Sequence, residues 1–320
     1  MLTRLLNAVA IWLGLMTGFA QAQTYPEKPI KLIVSFTAGG TTDILARELA
    51  NQLSQRWGVP VVVENKAGAA GNLGTEWVAR ANPDGYTLLA TSFGPIAINP
   101  TLFKNLAVNP QTDLQPVALL AEVPNVLVVP RSLGLAHLSD FLQYAKAHPN
   151  QISYGSTGIG TAAHMTGFLF SQLTGMGAMH IPYKGAEATR DLVAGRLQYM
   201  FATIPSVAPL IKAGQLQALA ISTATRSRSL PDVPTLKEQG IKIAAGAWFG
   251  VFAPKATPIA IVKKINEATV QILDSPTVKA RLVTQGAEPI AMNVEEFSRY
   301  VHEEHETWIP VVKASGARPE

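Results

Sequence analysis

The 320-residue chain contains no cysteine. Disulfide frameworks, thiolate metal sites, thiol nucleophiles and thioether-linked lipid anchors are therefore excluded, and the fold must be held by its core alone. Charge is also sparse. Only 15% of residues are Asp, Glu, Lys or Arg, and the 26 basic side chains are scattered without a dense stripe. A nucleic-acid partner, which needs clustered phosphate contacts, is not expected. The net charge of +4, one unit of it from Arg4, suits an anionic ligand without identifying one. Several catalytic patterns are missing as well. No glycine loop ends in the Lys-Ser/Thr of a nucleotide-triphosphate cradle, and none has the GxGxxG spacing of a dinucleotide site. Ser156 lies in GSTG rather than in a GxSxG elbow, and no nucleophile stands with a base. His302 and His305 in HEEHE are three apart rather than the four apart of HExxH, so they are expected on a solvated helix face. No metal and no cofactor is expected.

What is present begins with a leader. Arg4 precedes an apolar run over residues 5–19, and Ala20-Gln21-Ala22 supplies a small-x-small cleavage pattern. The run is short for a membrane span of about 20 residues. A cleaved secretory signal over residues 1–22, with cleavage after Ala22 and a periplasmic mature protein, is the expectation. The whole chain is 48% apolar, and its 25 glycines and 22 prolines are spread along it, as many short strand–turn–helix units require.

The opening unit is the most informative. An apolar run over residues 30–36 breaks at Ala38-Gly39-Gly40 and re-enters helical periodicity through Thr41, Thr42 and Asp43, with Leu45, Leu49 and Leu53 on one face. A strand, a glycine turn and a helix start make a cradle for an anion, because the first helical N–H groups lack partners and carry the positive end of the dipole. Asp43 is expected to cap this helix. The logic recurs at YGSTGIGTAAH, where Ser156, Thr157 and Thr161 offer hydroxyls and Gly158 and Gly160 expose the backbone ahead of a helix carrying His164. It recurs again at Tyr183-Lys184-Gly185. Alternating strands and helices predict an α/β fold with a mainly parallel sheet in each of two lobes. The crossings fall near residues 123–127 and 246–251. Three helices close the chain, opened by Thr257-Pro258 as N-cap and N1, by Ser275-Pro276, and near Val294. They are expected to dock back on the first lobe. The first lobe would then comprise residues 23–124 and 247–320, and the second 125–246, with a ligand cleft between them. Residues 25–29 are expected as an extended arm.

The signal sequence together with YPEKPIKLIVSFTAGGTTDILAR, ENKAGAAGNLG, NPDGYTLL, ISYGSTGIGTAAH, IPYKGAEATRDLVAGRLQYMF, DVPTLKEQG and WFGVFAPKATP, in that order, resembles the Bug-type periplasmic receptors of tripartite tricarboxylate transporters. The resemblance covers essentially the whole mature chain. It implies a two-lobed, Venus-flytrap binding protein of the type II-like class, acting as a monomer and delivering a small carboxylate to a two-component integral membrane permease. It further implies a carboxylate held by backbone N–H groups, hydroxyls and ordered water. Carried over, those positions are Phe36, Thr37, Ala38, Gly39, Gly40, Thr41 and Asp43 in the first loop. In the second they are Ser156, Thr157, Gly158, Gly160, Thr161 and His164, and the third loop matches at Tyr183, Lys184 and Gly185. His164 reads either as a structural hydrogen-bonding partner or as a ligand contact.

One departure bears on the ligand. Where relatives often carry Asp after Met-Phe, this chain has Ala202 and Thr203, leaving less to pair with an ammonium group. Ser92 and Phe93 follow the third strand, and Phe93 either faces the cleft or belongs to the core. A carboxylate without an amino group, with some apolar or aromatic character, is therefore expected. Two functional readings remain: a non-catalytic solute receptor, and an exported carboxylate-acting lyase or hydrolase built on the same cleft.

Overall fold

The computed structural model describes residues 25–185 and 187–318, so the expected leader lies outside the described residues. Strand β1 (Ile30–Val34) is buried except at Lys31 and pairs in parallel with β2 (Val61–Asn65) and β3 (Thr87–Ser92). Helix α1 (Thr41–Trp57) buries Leu45, Leu49 and Leu53, as their spacing predicts, and stops at Gly58. There φ is +69°, and the Gly58 amide turns back to Ser54 O, a left-handed cap that glycine adopts without steric cost. Helix α2 (Asn72–Ala79) and the short α3 (Asn99–Leu102) and α4 (Pro110–Asp113) complete the first half.

The two lobes share one strand. β4 (Leu114–Pro130) runs 17 residues, its first part pairing antiparallel with β9 (Gly246–Pro254) through Pro124–Gly246. From Asn125 onward it pairs antiparallel with β7 (Tyr199–Thr203), and from Val126 with β8 (Leu216–Ile221). The second lobe also holds α5 (Leu138–Ala147), β5 (Ser153–Ser156), α6 (Ala162–Thr174), β6 (Met179–Pro182), α7 (Glu187–Val193) and α8 (Ile204–Lys212). Strand β5 pairs in parallel with β6 and β7. The sheets are thus more mixed than the sequence suggests. Pairing within the strand–helix–strand units is parallel, whereas the strands that cross between lobes run antiparallel to their neighbours. A crossing strand and its return travel in opposite directions, so antiparallel ladders follow from the two crossings themselves.

Helices α9 (Ile259–Leu273), α10 (Pro276–Thr284) and α11 (Val294–Ser315) return to the first lobe. Val262, Ile265, Ile272, Phe297, Val301 and Trp308 join β1, β3 and β9 in a single core. The second lobe packs one cluster on each face of its sheet, around Phe141, Tyr199 and Phe201 on one side and Val126, Met200 and Ile204 on the other.

Three local expectations are corrected. The first described residues are no loose arm: Tyr25 is buried, its ring against Trp57 and Tyr86 and its hydroxyl donating to Gly85 O at 2.7 Å. Pro258 itself occupies the cap of α9 and Thr257 does not, because the Thr257 hydroxyl is turned into the core without a partner. On α11, His302 is exposed but His305 is not merely solvated. Its Nδ1 donates to Ala97 O at 2.8 Å, tying the helix to the turn after β3.

Candidate functional site

A cavity of about 520 Å³ lies where the lobes meet. The start of α1 enters it from the first lobe through Gly40, Thr41 and Thr42, and the start of α6 enters from the second through Thr161, Ala162 and Ala163. Each helix leaves its opening amides free of intrahelical acceptors. Ile44 N is the first amide of α1 to bond back, to Gly40 O, and Met165 N is the first of α6, to Thr161 O. Two positive dipole ends therefore face one space from opposite sides. An anion gains up to about 2 kcal/mol at each when the site is partly buried. A third start, that of α8, adds the hydroxyls of Thr203 and Ser206.

The lobes touch around this space. Thr41 Oγ1 and Thr203 Oγ1 hydrogen-bond across it at 2.7 Å. Gly185 sits so close to Thr37 that a β-carbon there would collide with the threonine hydroxyl, and one on Gly160 would collide with Asn99 Oδ1. Both glycines also have positive φ, +69° and +82°, which side-chain-bearing residues rarely adopt.

Of the residues singled out in the sequence, Phe36, Thr37, Gly39, Gly40, Thr41, Ser92, Phe93, Thr157, Thr161, Gly185 and Thr203 line the cavity. The others do not, and the hydrogen bonds say why. The Asp43 carboxylate turns back to brace the loop, accepting from Gly39 N at 3.0 Å, Arg47 Nε at 2.9 Å and Asn65 Nδ2 at 2.9 Å. Burial would raise its pKa, but these donors and the Arg47 charge outweigh that and hold it below the usual carboxylate range. The Gly39 N–H is thereby already used. Ala38 is an exposed loop tip.

The second loop is braced in the same way. Ser156 Oγ donates to Gly158 O, accepts from Gly158 N and meets His180 Nε2 at 2.7 Å. Gly160 N donates to His164 Nδ1 at 3.1 Å. The His164 and His180 rings stack at 3.9 Å, and burial pushes their pKa values down to about 4 and about 3, the neighbouring ring adding to the effect on His180. Both are neutral at ordinary pH, and His164 keeps its proton on Nε2 because Nδ1 is accepting. In the third loop Tyr183 donates to Asp191 Oδ2 at 2.9 Å and Lys184 is exposed, so only Gly185 reaches the cavity wall.

Phe93 answers both readings at once. It lines the cavity, yet it is 1% exposed and packs against Trp308 and Trp248 with centroids 5.3 and 6.2 Å away. Several wall residues escaped the sequence reading: Thr42, Asn125, Ala162, Ala163, Arg190, Ser206 and Phe249 among them. Asn125 carried a usable signal, a lone amide in the apolar run VPNVLVV. It is 1% exposed, and neither its Oδ1 nor its Nδ2 has a partner. Buried amides are nearly always paired, so an unpaired one on a cavity wall marks a place for a ligand or a water. Among the described lining residues only Arg190 is charged.

The model described as the tripartite tricarboxylate transporter family receptor matches residues 45–317. Protein BugT of Bordetella pertussis is 37% identical over 99% of both chains. Among solved structures, Rpa4515 of R. palustris with adipate has a TM-score of 0.90 at 36% identity, covering 92% of this chain and all of that one. MatC of Rhodopseudomonas palustris with bound malate has a TM-score of 0.84 at 33% identity, covering 90% of this chain and all of the other.

Proposed function

The chain belongs to the tripartite tricarboxylate transporter receptor family, and from that premise we propose that it binds a small carboxylate in the cavity between its lobes and presents it to a membrane permease. The observation that carries the ligand class is the facing pair of helix starts, α1 and α6, which meet the cavity from opposite lobes. Backbone amides and the hydroxyls of Thr37 and Thr157 suit a carboxylate, whose oxygens accept several hydrogen bonds each. A hydrogen bond to a charged group contributes about 1.5–3 kcal/mol. Four or five of them offset the cost of association and leave micromolar or better affinity. Asn125 is assigned as a further contact, its amide completing the cradle directly or through water.

The lobes are assigned as residues 23–124 with 247–320 and residues 125–246, a division supported by the change of partners along β4 between Pro124 and Asn125. Ligand bridging α1 and α6 holds the lobes together by the difference in its affinity for closed and open forms. The leader places the mature protein in the periplasm. In this reading the protein is a solute receptor rather than an enzyme, and it releases its ligand unchanged. Calorimetry and thermal shift on the mature chain against short mono- and dicarboxylates test the reading. Saturable binding with a raised melting temperature is expected, and NMR of the bound acid after long incubation shows no turnover. Tight binding of amino acids or sugars with no response to any carboxylate would refute it.

A further inference from the structure

Helix α6 belongs to the second lobe, yet its first turns are enclosed on every side. The consecutive residues from Ala162 to Gly167 are all buried. At 3.6 residues per turn such a run goes more than once around the helix, so no face of it meets water. The faces divide between the lobes. Ala163 and Phe170, two turns apart, join the apolar clusters of the second lobe. Ala162 and Met165, neighbours on another face, join the core of the first lobe, and Ile159 in the preceding loop packs against that same core. Two first-lobe elements reach the start of α6 from this side. Helix α11 packs against it, and Leu102 Cδ2 stands 2.9 Å from where a β-carbon on Gly160 would lie. Met165 is fully buried and is absent from the cavity wall. It is a second-lobe side chain seated in the first lobe's core, out of reach of a ligand.

We propose that Met165 is a positioning residue for binding, an apolar latch that is exposed when the lobes part and seated when they close. The latch rests on the two-lobed receptor reading above and on no particular ligand. Met165 N is the first amide of α6 to bond back along the helix, so its side chain stands just behind the free donors that open it. Seating that side chain in the first lobe fixes where those donors stand relative to α1. Burial of one methionine side chain favours the closed form by about 10- to 150-fold. Ligand bridging the two helix starts adds to this contribution. An unbranched, polarizable thioether chain suits a socket that must be refilled each time the lobes meet.

The test compares the mature parent chain with Met165→Gln and Met165→Leu. Ligand-free melting curves come first. A side chain already exposed in the open form costs little when made polar, so Met165→Gln should melt within about 3 °C of the parent. Calorimetry with succinate and adipate follows, at a temperature where all three proteins are folded. Met165→Gln should weaken both acids by the same factor, at least about tenfold. Met165→Leu, of similar volume, should keep most of the parent's affinity. Peroxide footprinting of the parent should show Met165 oxidised at least about tenfold more slowly once acid saturates the protein, with the exposed Met179 unchanged as an internal control. A larger fall in the ligand-free melting temperature of Met165→Gln would make Met165 an ordinary core residue and overturn the latch, whatever ligand binds. Unchanged affinity, a factor that differs between the two acids, or oxidation of Met165 indifferent to acid would overturn it as well. If neither acid binds the parent, the carboxylate reading falls, and the ligand-free curves decide the latch on their own.

Discussion

Gly94 offers a way to perturb contact between the lobes without touching the cavity. It opens the turn after β3, has an ordinary φ, and is absent from the cavity wall. A β-carbon built on it would meet Gly160 O at 2.8 Å, then Thr161 Cα at 3.6 Å and Gly160 C at 3.7 Å. All three nearest atoms belong to the second lobe. Gly94→Ala therefore forces its tightest overlap where the lobes meet, since an unstrained carbon contact lies at about 3.5–4.0 Å. Backbone rather than a flexible side chain is on the other side, so the strain is relieved only by moving the lobes. Overpacking of this kind costs about 1–3 kcal/mol. Because only the closed form holds ligand on both sides, the cost passes directly into the apparent dissociation constant, raising it about 5- to 150-fold. Calorimetry with a bound acid measures this, and the order of preference among acids should not change. A dissociation constant within twofold of the parent would refute the claim that ligand binding requires this lobe contact.

Asn125→Leu should act with opposite signs on stability and binding. Removing an amide whose two polar atoms are buried without partners relieves a desolvation cost of about 1–3 kcal/mol, so the ligand-free melting temperature should rise. Acid affinity should fall at least fivefold, and a fall in both would show that the amide is structural. Asp43→Ala should lower both melting temperature and affinity. It frees Gly39 N and Asn65 and unpairs Arg47, and Asp43→Asn should restore part of the loss. The buried histidines set an acid limit. Their folded pKa values lie below the ordinary 6.5, so the unfolded chain takes up protons first as pH falls. Stability is then full above about pH 6.5 and declines by about 1.4 kcal/mol per pH unit for each histidine until the folded values are reached. Melting curves from pH 7 to pH 5 check this, and His180→Gln should flatten the slope by about half.

The sequence by itself determined the local units and their family. Glycine turns between apolar strands and amphipathic helices were legible because hydrophobic period and turn chemistry act over a few residues, as the α1 stripe of Leu45, Leu49 and Leu53 and its stop at Gly58 show. The return of the closing helices to the first lobe was legible from their apolar faces, which had to dock on something already folded. Which donors stay free was decided only by the tertiary structure. The N–H groups of Gly39, Gly158 and Gly160 are taken by Asp43, Ser156 and His164, so conspicuous glycines lose the role while the amides opening α1 and α6 keep it. The same holds for the walls. Thr41 meets Thr203 across 162 positions of chain, with no local pattern to announce it. A hydrogen bond is satisfied once, by whichever partner packing brings nearest. Periodicity along the chain carries no record of that choice.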